Sequence, residues 1–221
     1  MHIELPEKPL KGVKDFLKHY LMIVLSILTA LGLEAWIEHM HHAHASSAAS
    51  AQLREELRTD LDSVRGAVAK NEKVLQKLDR MDDLVATALT NNTPDDVINQ
   101  QIHAHRADYE ISIFFPDTPV NAWNMAVANQ AVTWMPADQL RAYSTAYTEL
   151  REILDWEQHG IYAGMDLPKA TDLRTDLQIG RPVDPTSFLH TVRQLRGTLR
   201  ETNANLVSME KDLSAGISAN P

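Results

Sequence analysis

The chain contains no cysteine. Disulfides, thiolate catalysis and cysteine-ligated zinc or iron–sulfur centres are thereby excluded, and an oxidising compartment holds no hazard for it. Glycine is scarce, at 8 of 221 residues, and no glycine-rich phosphate loop, nucleophile elbow or H-E-x-x-H helix can be found. Basic charge is also in deficit. With 21 Lys and Arg against 30 Asp and Glu the net charge is −9, which argues against nucleic acid, whose phosphates need a basic face. The same charge argues against the soluble part lying on anionic lipid. No catalytic constellation emerges, so the sequence does not read as an enzyme.

Long apolar runs are absent too, with one exception. Tyr20 to Leu33 carries no charged side chain, and extending it through Phe16-Leu17 and Ala35-Trp36-Ile37 gives the roughly 20 residues that a helix needs to cross the hydrocarbon. Lys18 can snorkel toward headgroups, while Tyr20 and Trp36 stand where interfacial aromatics belong. We therefore expect a single-pass transmembrane helix over 16–37. Lys8, Lys11, Lys14 and Lys18 precede it, and no Lys or Arg follows until Arg54. This asymmetry predicts a cytoplasmic tail (1–15) and an extracytoplasmic, periplasmic remainder. Cleavage at Ala43-His44-Ala45 is the rival reading, but bulky, charged residues separate that site from the apolar run. A buried helix of a soluble protein is a third.

Beyond the anchor, about 175 residues remain, enough for one domain with a core. Leu57, Leu61, Val64, Val68, Asn71, Leu75, Leu78, Val85 and Leu89 recur at steps of three and four, with Asp82 interrupting, as on a long amphipathic helix. Asn91 to Asp96 ends it and starts a second helix, with Thr93 as cap and Pro94 in the first position, running to about Tyr109. ISIFFPDT reads as a buried non-helical crossing. Asp117-Thr118-Pro119 and Met135-Pro136 open a third and a fourth helix. Gly160 to Pro185 is irregular, with a short helix near Thr171 to Leu177. The last helix starts at Asp184-Pro185 and runs to about Leu213, with Phe188, Val192, Leu195, Leu199, Thr202, Leu206, Met209 and Leu213 along one face. Two such seams are best satisfied by antiparallel packing. The expected fold is all-α: a transmembrane helix, a His/Ala/Ser-rich linker or helix continuation (38–52), and an elongated helical bundle (53–215) with long antiparallel first and last helices, then a tail (216–221).

Three features invite a functional reading. His39, His41, His42 and His44 lie near Glu38 at spacings that could hold a transition metal, or haem iron axially; beside a bilayer they could equally hydrate headgroups or titrate. No other cofactor is implied. The segment from Phe114 to Trp134 combines large aromatics with dense amides, so Trp123, Asn124 and Trp134 are candidate interaction residues, against the plainer reading of a domain core. Adjacent carboxylates such as Glu55-Glu56 and Asp82-Asp83 read as solvated faces.

LTALGLEAW at 28–36, LREELRTDL at 53–61 and TPVNAWNMAVANQAVTWMPADQLRAYSTAY at 118–147 together resemble a family of uncharacterised bacterial proteins. These have one N-terminal transmembrane helix ending in Trp, a long helix, and a mid-domain Trp segment leading to a Tyr-bearing helix. Members carry Asn before the membrane-edge Trp, where this chain has Ala35. The resemblance covers roughly 16–150 and implies architecture and a bacterial envelope rather than chemistry. The leading expectation is a bacterial inner-membrane protein acting by interaction, as an accessory subunit of a larger membrane complex or as a homo-oligomeric scaffold. The alternatives are a ligand-sensing domain signalling through a partner, and a metal- or haem-handling protein.

Overall fold

The computed structural model describes residues 12–157 and 165–218. Lys8 and Lys11, on which the orientation partly rests, and Gly160 and Gly164 lie outside them. The described residues are helical without strands: α1 (Val13–Thr90), α2 (Asp95–Ala104), α3 (Asn121–Ala128), α4 (Ala137–Asp155), α5 (Leu167–Gln178) and α6 (Pro185–Ser218), with 3-10 turns at Arg106–Asp108 and Ala131–Trp134. The chain divides into two compact units, Met1–Ala48 and Ala49–Pro221.

In the first unit, α1 is the one described helix long and apolar enough to cross a membrane. Its large apolar side chains from Phe16 to Ile37 are exposed, including Tyr20 and Trp36. Among the described residues nothing covers them. Ser26 and Thr29 turn their hydroxyls back onto the carbonyls of Met22 and Leu25, which removes the only hydroxyl donors that the middle of this segment would present.

In the second unit, burial along α1 follows a four-three alternation: Leu53, Leu57, Asp60, Val64, Ala67, Asn71, Val74, Leu78, Met81, Val85 and Ala88. This corrects the sequence reading at every other position. Val68, Leu75 and Leu89 flank the seam and are only partly buried, whereas the polar Asp60 and Asn71 sit within it. On α6 the buried series Phe188, Val192, Leu195, Leu199, Thr202, Leu206, Met209 and Leu213 is the expected one, and the helix continues to Ser218. The extra turn brings Gly216 close against α4: a Cβ there would lie 3.3 Å from Ala146 Cβ and 3.5 Å from the Ala142 carbonyl.

Ion pairs fix the register of these two helices. Arg65 meets Glu210, Arg196 meets Asp79, and Arg193 meets Asp82. As the α1 partner rises from 65 to 82 the α6 partner falls from 210 to 193, so the helices run antiparallel. Asp82 is 7% exposed and takes Arg193 and Arg196 together; it is a paired seam residue, not a solvated one. Two apolar clusters fill the unit. One gathers Val74 to Ala88 of α1 with α2, α5 and the first half of α6. The other gathers Ala49 to Ala67 with α3, α4 and the second half of α6.

Helix ends follow local chemistry, with corrections. α1 stops as expected at Asn91-Asn92: Asn92 adopts a positive φ of 51°, and the Thr93 N–H returns to the Ala88 carbonyl, a Schellman closure. Gly180 ends α5 in the same way, with φ 76° and the Arg181 N–H on the Asp176 carbonyl. α2 begins at Asp95 with Pro94, not Thr93, at the cap position and no side-chain cap. It is shorter than predicted, giving way at His105 to the 3-10 turn. α6 has the expected acidic cap, the Ser187 N–H donating to Asp184 Oδ2 at 2.6 Å.

Candidate functional site

The chain between the first 3-10 turn and α3 has no regular structure from Tyr109 to Val120, so its backbone groups need partners elsewhere. α1 supplies them from its seam and from the face beside it. Asn71, fully buried, accepts from the Phe114 N–H at 2.8 Å and donates to the Phe114 carbonyl at 2.9 Å. One turn pair earlier, Ser63 Oγ accepts from the Asp117 N–H at 2.9 Å. Further along, Glu56 Oε2 accepts from the Ala122 N–H at 2.9 Å. That last bond caps α3, whose own preceding residue, Val120, gives no side-chain cap. Asn99 repeats the two-point grip on Val183, at 2.7 and 3.0 Å. An amide carries a donor and an acceptor on separate atoms and so satisfies both backbone groups of one extended residue, which an ionised carboxylate, acceptor-only, cannot.

Asn71→Ala leaves the Phe114 N–H and carbonyl without those partners in a partly buried place. The expected cost is about 2–3 kcal/mol, read by denaturant unfolding of the detergent-solubilised chain. A loss below about 0.5 kcal/mol would mean that water serves the Phe114 backbone equally well.

Glu56 has a second duty. Its Oε1 accepts from the Tyr147 hydroxyl at 2.7 Å, and the Tyr147 ring stacks on Trp123 with centroids 5.2 Å apart. Burial, and then the Glu56 hydrogen bond, hold the Tyr147 phenol well above its ordinary range, so it remains a donor at any physiological pH. Tyr143, one turn earlier on α4 and fully buried, donates to the Ser50 carbonyl at 3.1 Å.

Asp60 lies between these grips. Its relative exposure is 0%, and among the described residues no donor reaches either carboxylate oxygen. Burial, reinforced by Glu56 and by Asp117, pushes its pKa up to about 7. Thr118 is 4% exposed and its Oγ1 is likewise without a partner. The result is an acid that exchanges a proton near neutrality, sealed beneath the segment that α1 holds down.

The sequence candidates fall in different places. Trp123 is half-buried on Tyr147; Asn124 is exposed, its Oδ1 3.4 Å from Arg151 Nη2; Trp134 is 51% exposed. These three stand in or beside α3 and its following 3-10 turn. His39, His41 and His44 are exposed along α1, and His42 Nε2 lies 3.5 Å from Glu38 Oε1. Among the described residues no three His, Asp or Glu side chains converge in a geometry able to hold a metal ion. His103 and His105 do not share a site: one ring nitrogen meets the Arg181 carbonyl and the other the Gln101 carbonyl.

Glu56 is no solvated half of a carboxylate pair, and Asp60 was passed over entirely. The signal for both was present: Glu56, Asp60 and Ser63 are four and three apart, hence on one helical face. The chain matches no family model, no curated protein and no solved structure.

Proposed function

We propose that this is a single-pass, membrane-anchored protein whose helical domain works by interaction, as an accessory subunit of a larger membrane complex or as a self-associating scaffold. The observation that carries the reading is the contrast within α1. From Phe16 to Ile37 large apolar side chains are exposed, while from Leu53 onward the buried ones form a continuous seam. Twenty-odd exposed apolar residues in water would cost far more than a domain's net stability, and a bilayer removes that cost. The Lys-rich flank supports a cytoplasmic N-terminus and a domain on the outer face of a bacterial inner membrane, as the resemblance to single-pass envelope proteins also implies.

The domain's polar groups support interaction over catalysis. Asn71, Asn99 and Ser63 hold backbone, and Asp60, whose pKa burial pushes up to about 7, is sealed from solvent. A ligand-sensing role would use the face of Trp123, and there the ring of Tyr147 already lies.

The test is native mass spectrometry of the untagged protein, extracted in mild detergent from its own membrane. A heteromeric assembly identifies the accessory-subunit form, and a homo-oligomer the scaffold. Recovery in the soluble fraction without detergent would defeat the anchoring, and a bare monomer would defeat the interaction reading. Deletion of 16–37 is expected to release the domain from membranes.

A further inference from the structure

Pro116 and Pro119 stand three residues apart in FFPDTP, which bars a helix there and removes two backbone donors. Among the described residues no backbone–backbone hydrogen bond involves Glu110 to Pro119. The segment runs back along α1 on three side-chain grips instead: the Phe114 N–H on Asn71, the Asp117 N–H on Ser63 and the Ala122 N–H on Glu56. Asp60 falls between Glu56 and Ser63 on α1, hence beneath the stretch between Asp117 and Ala122. Its carboxylate oxygens and the Thr118 hydroxyl are buried without a partner, so this contact is unrewarded from both sides. On its other side the segment borders a cavity of about 420 Å³, lined by Ile113 to Pro119 with Leu154 and Glu157, and it can lift into that space without displacing a helix.

We propose that Phe115 to Ala122 is a strap that the proton on Asp60 keeps closed: when the carboxyl ionises, the strap lets go of Ser63 and Glu56 while the helices stay folded. The charges around Asp60 drive this. Glu56 stands on its own helix and Asp117 on the strap, and both oppose its ionisation. From α4 comes the Tyr147 phenol, a neutral group whose hydroxyl is already given to Glu56, and at the end of that helix Glu157 adds a further anion beside the strap. α6 contributes the apolar Leu206, Met209 and Leu213 to this part of the core, and its Glu210 is held by Arg65. The cation beside the segment, Lys70, lies over the Phe114 ring, at the end that Asn71 grips by two bonds. Release therefore starts at Asp117, where one hydroxyl holds one N–H, and stops at Phe114. Lifting the strap gives Asp60 water and moves Asp117 away from it. The inference is independent of the membrane anchoring.

The closed carboxyl titrates near 7 and a hydrated one near 3.9. The ratio of open to closed strap then rises about tenfold per pH unit between about 4 and 7, and levels off above. Amide hydrogen exchange of the full detergent-solubilised chain from pH 4 to 8, corrected for the intrinsic pH dependence, reads that ratio. Fragments covering 113–123 report the strap, and fragments covering 195–206 of α6 report global opening. The expected result is that protection over 113–123 lies at least tenfold below that over 195–206 at pH 7, and falls with the predicted slope from pH 4. In Asp60→Asn, which cannot ionise, the slope over 113–123 is expected to vanish. Equal protection of the two fragments at every pH makes the opening global and overturns the strap. A slope retained in Asp60→Asn assigns the proton elsewhere and overturns it too. Thr118→Val, which removes the other unpaired group and no charge, is expected to raise protection over 113–123 several-fold at all pH values with the slope intact; loss of the slope in that variant would also overturn the proposal.

Discussion

Replacing Asp60 by Asn is expected to stabilise the protein, and to do so only above acidic pH. The folded carboxyl titrates near 7, whereas an unfolded one titrates near 3.9. Below the unfolded value both states hold the proton and Asp60 contributes no difference. As pH rises from about 4, the unfolded chain releases the proton while the folded one keeps it, so stability falls by about 1.4 kcal/mol per pH unit. Above about 7 both are ionised and the penalty is complete, on the order of 4 kcal/mol. Asp60→Asn removes it, so Tm at pH 8 is expected to rise by roughly 8–16 °C, with almost no change at pH 4. Differential scanning fluorimetry of the detergent-solubilised protein from pH 4 to 8 reads the effect. If Tm instead fell at pH 8, the ionised carboxylate would be holding something favourable there, and the account of an unrewarded buried charge would be wrong.

The second large effect is expected at Arg196, and it is a loss. Arg196 is 15% exposed and grips Asp79 and Asp82, the latter with a side chain 10% exposed. Removing one partner of a buried pair strands the other, which typically costs about 3–5 kcal/mol. Arg193 remains 2.7 Å from Asp82 and is half-exposed, so the expectation for Arg196→Met is the lower part of that range, about 2–4 kcal/mol. The informative comparison is Arg196→Met combined with Asp82→Leu. Desolvated pairs are often replaced by apolar side chains at little cost, so the double variant is expected to recover most of the loss in urea unfolding. If the double variant is as unstable as the single one, the pair is specifying register as well as neutralising charge. Arg65–Glu210 is more exposed and serves as a control with little effect.

The fold's main lines were legible because the two long helices are patterned by one simple rule. On α6 each seam position is apolar or Thr, so apolar periodicity found the series from Phe188 to Leu213. On α1 it found only alternate positions, Asn71 among them, because Asp60 is polar and Ala67 and Ala88 are small. Counting large apolar residues drew the line through Leu61, Val68 and Leu75, one step to the side. The functional geometry was hidden for a related reason. A buried Asp or a two-point Asn looks, in sequence, like any solvated one, since what distinguishes it is a backbone segment more than forty residues away. The extended run at 111–116 was itself the clue: a non-helical stretch in a helical domain must borrow hydrogen bonds, and Asn is the side chain suited to lend them. Cap assignments failed where proline stood at the cap position itself. α2 and α4 have no side-chain cap there, and α3, preceded by Val120, takes its cap from Glu56 across the bundle.

The register between α1 and α6 also dictates an order of events during synthesis. Its pairs are separated by 111 to 145 residues of chain, an unusually non-local arrangement for a helical protein and one that slows folding. The seam of α1 is complete by Thr90, yet the helix that covers it begins only at Pro185. At ordinary translation rates this leaves roughly 5–20 s in which Leu53 to Ala88 emerges with its apolar line uncovered. In the membrane-anchored form proposed above, a nascent chain cannot diffuse away from its neighbours during that interval, so encounters between growing copies become a competing reaction. Chaperone protection is then needed at the first helix made, and depletion of holdases is expected to harm this protein before it harms helical proteins whose adjacent helices pair as they emerge.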